Sequence, residues 1–509
     1  MWEQIISGIE SVNDTLNNIV WGWPVIILIL GTGLLLSIRT GFLQVRRFGD
    51  SLNTTIVPTL KSLGKKKQAD GRVKSISQFE AFSTAISGTV GTGNIVGVVA
   101  AILTGGPGAV FWMWVSAFFG MVTNYSENVL GLYFRKKDKD GNLSGGAFYY
   151  IAYGLKWKWL AYLAALFCML AAVGMSGVQT NKISGTLAEA YSRLTGFGGS
   201  TETVRLIIGC IVAAVAAVII IGGIKRIGKV ASMLVPFMSL LFIVLALIAI
   251  GTHYYNIPGA FGMIFSKAFS FNAVGGGILG YSFAVVIKKG MARGVFSNEA
   301  GLGSSVIAHS ASETREPVKQ GLWGVFEVFF DTFIICTLTA LMFLTTYDIG
   351  TLDPEGLEDS VMSMTMFSNN FGAFGTATFS VILPLFAFTT IIAWSYYGEK
   401  AVGFFFGWVK SEKARGYIVV IFKVLYVVLI AVSATIHSDL IWAIDDTFNG
   451  LMAVPNLICL IALSGLVAKI TKNYFDRKKG LKVEPMLSAY PEMNEEFRQD
   501  IMSGDSEMR

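Results

Sequence analysis

This sequence is short of charge. Only 15% of its 509 residues are Asp, Glu, Lys or Arg, against roughly 25% in soluble domains. That leaves too little solvating surface for the several soluble domains its length would suggest. Cysteine is scarce as well. Cys168, Cys210, Cys336 and Cys459 each stand in an apolar stretch, which points to buried thiols and away from a disulfide framework. The three histidines, His253, His309 and His437, are widely separated and are expected at membrane interfaces rather than in a catalytic or metal site. There is no P-loop, HExxH, CxxC or nucleophile elbow, so neither an enzyme nor an organic cofactor is implied. Gly91-Thr92-Gly93 resembles the opening of a dinucleotide fingerprint, but Val96 occupies the third glycine's place and no βαβ unit surrounds it. The N-terminus shows no basic region and no small-residue cleavage site, so no signal peptide is expected. The net charge of +6 sits in loops, which argues against a nucleic-acid partner, and no obligate protein partner is evident.

What the chain does have is apolar length. Hydrophobic residues make up 53%, aromatics 13%, and there are 56 glycines, with a mean hydropathy of +0.59. Residues 81–126, 159–181, 206–224, 230–266, 360–398 and 447–468 contain no charged side chain. A membrane helix needs about 20 predominantly apolar residues, so the pattern predicts an all-α polytopic membrane protein of about 11 transmembrane helices. The expected spans lie near 21–38, two within 81–126 divided at Gly105-Gly106-Pro107-Gly108, then 159–188, 204–223, 230–250, 272–311, 320–346, 374–402, 416–433 and 440–468. An amphipathic stretch, 257–268, is placed at the membrane surface. The expected organisation is an N-terminal helix and basic loop (1–80), a first five-helix set (81–250), a second (251–470) and a polar tail (471–509) that is expected to be loosely ordered. Lysine and arginine give the orientation. Loop 39–80 carries nine, 135–158 six, 225–229 three and 410–415 three, while 1–20 and 347–371 have none. Asp348, Asp353, Glu355, Glu358 and Asp359 make the latter plainly acidic. The positive-inside rule then puts the N-terminus outside and the C-terminus in the cytoplasm.

Two stretches at membrane depth dislike being helical. Ser87-Gly88-Thr89-Val90-Gly91-Thr92-Gly93-Asn94 holds three glycines in six residues, each costing about 1 kcal/mol in a helix interior. An unwound segment frees carbonyls for a cation and a half-helix N-terminus for an anionic group. The second stretch, Gly290 to Gly303, holds four glycines with Arg293, Ser297, Asn298 and Glu299. Each falls at the start of a five-helix set, the arrangement that marks a secondary transporter's binding site. The alternative is that these glycines only allow helices to pack closely.

At these residues the sequence resembles a known family. Gly105-Gly106-Pro107-Gly108-Ala109-Val110-Phe111-Trp112-Met113-Trp114 looks like the signature of the alanine or glycine:cation symporters. Arg293-Gly294-Val295-Phe296-Ser297-Asn298-Glu299-Ala300-Gly301-Leu302-Gly303-Ser304 and Ala393-Trp394-Ser395-Tyr396-Tyr397-Gly398-Glu399 are similar to that family's pattern too. The resemblance spans about residues 15–470 and implies a leucine-transporter-like fold of five plus five inverted helices behind one extra N-terminal helix. It implies a symporter that couples inward sodium movement to uptake of a small neutral amino acid, alanine and/or glycine, across the cell membrane, with glutamine or proton coupling as the alternative and an ion channel as a more distant one. Backbone groups at Thr89, Gly91, Thr92 and Gly93 would receive the substrate carboxylate, with Asn94, Gln179, Ser297 and Trp394 in the same substrate set. The carbonyls of Ser87 and Val90 would join the hydroxyls of Thr389 and Thr390 around the sodium ion. Gly88 stands where relatives of this fold carry an asparagine, which puts a two-sodium arrangement in doubt. Several alternatives stay open. Thr389 and Thr390 could back-bond to their own helix, and Gln179 and Asn181 could be interhelical links. Trp394 could simply pack. The acids Glu80, Glu127, Glu327 and Asp331 could serve function, pair with Lys288, Lys289 or Arg293, or form an inner gate, and Asp445 and Asp446 suggest an outer one.

Overall fold

The computed structural model describes residues 2–62, 75–137, 141–196, 200–269, 283–347, 359–436 and 438–502, and its described residues are helical apart from short connections and a two-stranded hairpin pairing Lys136–Lys137 with Leu143–Ser144. The acidic stretch 348–358 lies outside the described residues. The main helices in chain order are α1 (Trp2–Val20), α2 (Trp23–Thr40), α3 (Gln78–Thr89), α4 (Val96–Gly105), α5 (Ala109–Tyr133), α6 (Lys158–Thr195), α7 (Thr201–Ile221), α8 (Gly223–Thr252) and α9 (Ile257–Ala268). They continue with α10 (Phe283–Asn298), α11 (Pro317–Thr346), α12 (Asp359–Phe405), α13 (Glu412–Ser433), α14 (Ser438–Lys478) and α15 (Pro491–Met502). Among the described residues eight helical stretches are long and apolar enough to cross a membrane: α1–α2 from Gly8, α6, α7, α8, α11, α12, α13 and α14. The other three expected units are the interrupted pair α3–α4, the 25-residue α5, and α10 with the short helix Val306–His309 that follows it.

Local chemistry explains where these helices start, bend and stop. Pro24 opens α2 and Gly41, at φ 67°, closes it. Ser77 and Glu80 cap α3 reciprocally, so Glu80 is a helix cap. Two helical segments of α12 meet at Gly372, φ 60°. On α1, Ile9, Val12, Leu16 and Ile19 share an exposed apolar stripe, the mark of a helix lying in a membrane interface. The long helices α7, α8 and α13 expose apolar faces such as Ile211, Leu240 and Val428, while α6 is sandwiched between α12 and α14.

The two readings of the second glycine stretch divide along its length. A Cβ on Gly290 would lie 2.4 Å from the Ala109 carbonyl oxygen, and one on Gly294 would lie 2.9 Å from the Ser116 Cβ. These two glycines sit inside α10 and serve close packing against α5. Gly301 and Gly303, at φ 96° and 75°, lie beyond the helix in backbone that side chains rarely adopt.

Three expectations are corrected. Cys210, on α7, is exposed and not a buried thiol. The tail is not loosely ordered through its length: α14 runs on to Lys478, and Leu487, Met493 and Phe497 are buried against Leu143 of the hairpin. Arg315–Asp500 (3.0 Å), Lys137–Glu496 (2.5 Å) and the Ala489 N–H on the Tyr133 carbonyl (2.8 Å) fasten α15 there. A buried apolar trio and fixed backbone bonds outweigh a polar average composition. Nor is His309 interfacial. It is fully buried, its Nε2 2.6 Å from Glu327 and its Nδ1 2.6 Å from Gln320. Membrane burial of an imidazole is tolerated because both ring nitrogens find partners.

Candidate functional site

The first break is short and tightly held. α3 ends at Thr89, Val90 and Gly91 leave helical geometry, and Thr92–Asn94 form one 3₁₀ turn before α4 resumes at Val96. The whole segment is buried, so each freed backbone group needs a partner. The Gly91 N–H donates to Asn94 Oδ1 at 3.0 Å, and the Thr92 N–H to Gln179 Oε1 at 3.3 Å. Thr390 Oγ1 donates to the Ser87 carbonyl at 3.0 Å from across the interface with α12. A Cβ on Gly91 would stand 2.6 Å from Thr390 Oγ1 and 3.4 Å from Gln179 Nε2. Gly91 is therefore the point where α6 and α12 close on the break.

Several sequence candidates converge here and others do not. Ser87 and Thr89 lie in the last turn of α3, Val90, Gly91, Thr92, Gly93 and Asn94 form the break itself, and Gln179 and Thr390 reach it. The Thr92 hydroxyl is buried and has no hydrogen-bond partner among the described residues. Thr389 turns away: its hydroxyl donates to the Phe386 carbonyl of its own helix at 2.9 Å and lies 3.7 Å from the Met238 sulfur. Asn181, two residues beyond Gln179, follows the interhelical alternative, donating to the carbonyls of Ser433 (3.2 Å) and Ile436 (2.6 Å). Helical spacing alone separates these neighbours, since adjacent residues point about 100° apart.

Asn94 and Ser297 face an acid that the sequence left without a role. Asn94 Nδ2 donates to Asp331 Oδ1 at 2.5 Å, and Ser297 Oγ to Asp331 Oδ2 at 2.8 Å. The Thr332 hydroxyl adds a further bond at 2.8 Å. Asp331 is fully buried within Phe329–Cys336, where α11 widens into π-helical winding, a feature frequent at functional sites. This carboxylate ties the first break to α10. The signal for it was present in the sequence, where Asp331 and Glu327 are acids within an otherwise apolar run.

The second break falls at Glu299–Ser305. Glu299 itself takes φ 54°, rare for a residue with a side chain. One oxygen of Glu127, on α5, accepts from the N–H groups of Gly301 and Gly303 at 3.1 Å each and from Asn456 Nδ2 at 2.5 Å. Glu299 accepts from Trp394 Nε1 at 2.9 Å and from the Ser304 hydroxyl at 2.5 Å. Trp394 is thus anchored to the second break through its ring nitrogen.

Beyond Gly93 the site is roofed by stacked side chains. A Cβ on Gly93 would stand 3.2 Å from the Phe296 ring. Phe296 stacks on Trp442 with centroids 5.5 Å apart, and Arg293 and Lys182 lie over that indole at 4.9 and 5.1 Å. Arg293 pairs with Asp446 at 3.3 Å and Lys182 with Asp359 at 2.8 Å. Ring, indole and ion pairs together cover this side of the first break. Chemically the arrangement can offer hydroxyl and carbonyl oxygens to a cation and a half-helix N-terminus to an anion.

Comparison with known proteins places the chain in a family. The sequence profile of the sodium:alanine symporter family matches residues 6–487. An uncharacterized transporter of Haemophilus influenzae is 39% identical over 474 residues, covering 92% of this chain and 97% of the relative. The sodium/alanine symporter AgcS of Methanococcus maripaludis is 38% identical over 477 residues, covering 92% and 98%. Among solved structures, MhsT in complex with L-phenylalanine superposes with a TM-score of 0.56 at 16% identity, covering 79% of this chain and 99% of MhsT. That likeness is one of fold, the leucine-transporter fold.

Proposed function

The chain belongs to the sodium:alanine symporter family, and from that membership we propose how it works: a sodium ion and a small neutral amino acid, alanine and/or glycine, bind at the first break and enter the cell together. The protein is a multi-pass membrane transporter and not an enzyme. The positive loops orient it with the N-terminus outside and the C-terminus in the cytoplasm, and α3–α4, α5 and α10 with its continuation complete eleven spans in the cell membrane.

The observation that carries this reading is the meeting of Thr390 Oγ1, the Ser87 carbonyl and the Gln179–Thr92 bond around Gly91. Carbonyl and hydroxyl oxygens suit a hard monovalent cation. The N-terminus of α4 suits a carboxylate. Sodium held by Ser87, Val90 and Thr390 bridges the broken helix to α12, so filling the ion site fixes the backbone that receives the amino acid. Phe296 and Trp442, with the Arg293–Asp446 and Lys182–Asp359 pairs above them, form the outer cover, and rocking of α3–α4, α5, α10 and α11 against α6 and α12 alternates access. The chain's own sequence supplies no fuel-binding motif, so the sodium gradient supplies the work.

The test is uptake of labelled alanine into proteoliposomes with and without an inward sodium gradient, with unlabelled glutamine as competitor. Sodium-driven accumulation that glutamine leaves intact is expected. Accumulation abolished by glutamine moves the substrate to glutamine, and accumulation indifferent to sodium refutes the coupling.

A further inference from the structure

One buried acid has no hydrogen-bond partner among the described residues. Asp445, on the third turn of α14, is fully buried, and neither of its oxygens is hydrogen-bonded to any described residue. Asn449, one turn on, is also fully buried with both amide atoms unpartnered; it lies close enough to act on Asp445 but outside hydrogen-bond geometry. The Trp442 ring nitrogen, on the same helix face, is unpartnered too. Across from them α6 presents Gly174, where a Cβ would stand 2.7 Å from Asp445 Oδ1, so α6 yields space to the carboxylate. The charged groups acting on Asp445 are Asp446, Glu299 and Arg293. Two are acids, and the one cation is already committed to Asp446 at 3.3 Å.

A buried carboxylate without donors is costly unless a positive charge accompanies it, and an ionisable residue within a span marks a functional site. We propose that Asp445 and Asn449 form a cation subsite, holding a monovalent cation, a sodium ion or the ammonium of the amino acid, between α14 and α6. One carboxylate charge, with three oxygens on one face at i and i+4, balances a monocation, whereas a divalent ion would be left with an excess positive charge in a buried site. The subsite lies on the same pair of helices as two elements of the proposed path, Gln179 on α6 and Trp442 on α14, so its occupancy would link the ion site to the outer cover. The inference rests on the symport reading.

The experiment measures melting temperature of the purified full-length transporter in sodium chloride or choline chloride, with and without alanine. Wild type is expected to be stabilised by sodium and further by alanine. Asp445→Asn is expected to need at least tenfold more of one of them for the same shift. A weakened sodium shift without alanine identifies the ion as the ligand; an intact sodium shift with a weakened alanine shift identifies the ammonium. Should Asp445→Asn not fold, Asn449→Ala, which removes a neutral oxygen and keeps the carboxylate, is read the same way. Wild-type sodium and alanine dependence in the variant overturns the subsite. Absence of both shifts in wild type refutes the symporter reading instead.

Discussion

Gly91→Ala isolates the closure of the first break from every other effect. Gly91 has φ −125°, which alanine adopts without strain, so the substitution adds one methyl and nothing else. That methyl would stand 2.6 Å from Thr390 Oγ1, nearer than side-chain carbons approach, and the far contact is a short, packed threonine in the middle of α12. Either Thr390 swings off the Ser87 carbonyl or the break moves away from α12. Overpacking of this kind costs about 1–3 kcal/mol, and at roughly 1.4 kcal/mol per tenfold the sodium needed for half-maximal alanine uptake should rise about 5- to 150-fold. Gly97→Ala is the control: it lies in α4 with nothing within 4 Å of its Cβ position, and alanine is favoured there by up to about 1 kcal/mol. Uptake by both variants in proteoliposomes, titrated with sodium at constant ionic strength, decides the matter. Wild-type sodium dependence in Gly91→Ala would refute the placement of the ion at this junction.

Other outcomes follow from the same geometry. Thr390→Ala should weaken sodium dependence at least tenfold while Thr389→Ala changes it by less than about threefold, since only Thr390 bonds across to Ser87; equal effects in parallel uptake titrations would contradict the assignment. Glu127→Ala strips one acceptor from two backbone N–H groups and Asn456, at about 1–3 kcal/mol for each orphaned donor, and should lower the melting temperature; an unchanged melt would show that the second break is held by other means. Phe497→Ala, removing a ring buried with Leu143 and Leu487, should loosen α15 by about 3 kcal/mol. Limited proteolysis reads this as faster cleavage within 479–502, and wild-type protection would refute the docking of the tail.

How much was legible beforehand depended on what kind of physics fixed each feature. The first break could be located because glycine and threonine density is a local, one-dimensional signal, although Ser87, Gly88 and Thr89 stay helical and only Val90 to Asn94 leave the α-helix. The second was read too broadly. Gly290 and Gly294 look like Gly301 and Gly303 in the sequence, and only the approach of Ala109 and Ser116 on α5 separates packing glycines from unwinding ones. Asp331 and Glu127 stood out as acids in apolar surroundings, yet their roles lay in partners more than 150 residues away: Asn94 and Gly301. His309 was misread because its stabilising contacts, Glu327 and Gln320, come from a neighbouring helix.

The sequence by itself determined that this chain lives in a membrane, where its helices fall and where two of them fail, because apolar length, loop charge and glycine density are summed along the chain. Only the tertiary structure decided which of two adjacent threonines reaches Ser87, which of Gln179 and Asn181 reaches the break, and that Asp445 has no hydrogen-bond partner among the described residues. A helix turns side chains about 100° per residue, so neighbours in sequence face different helices, and it is the packing of α6, α12 and α14 that selects among them.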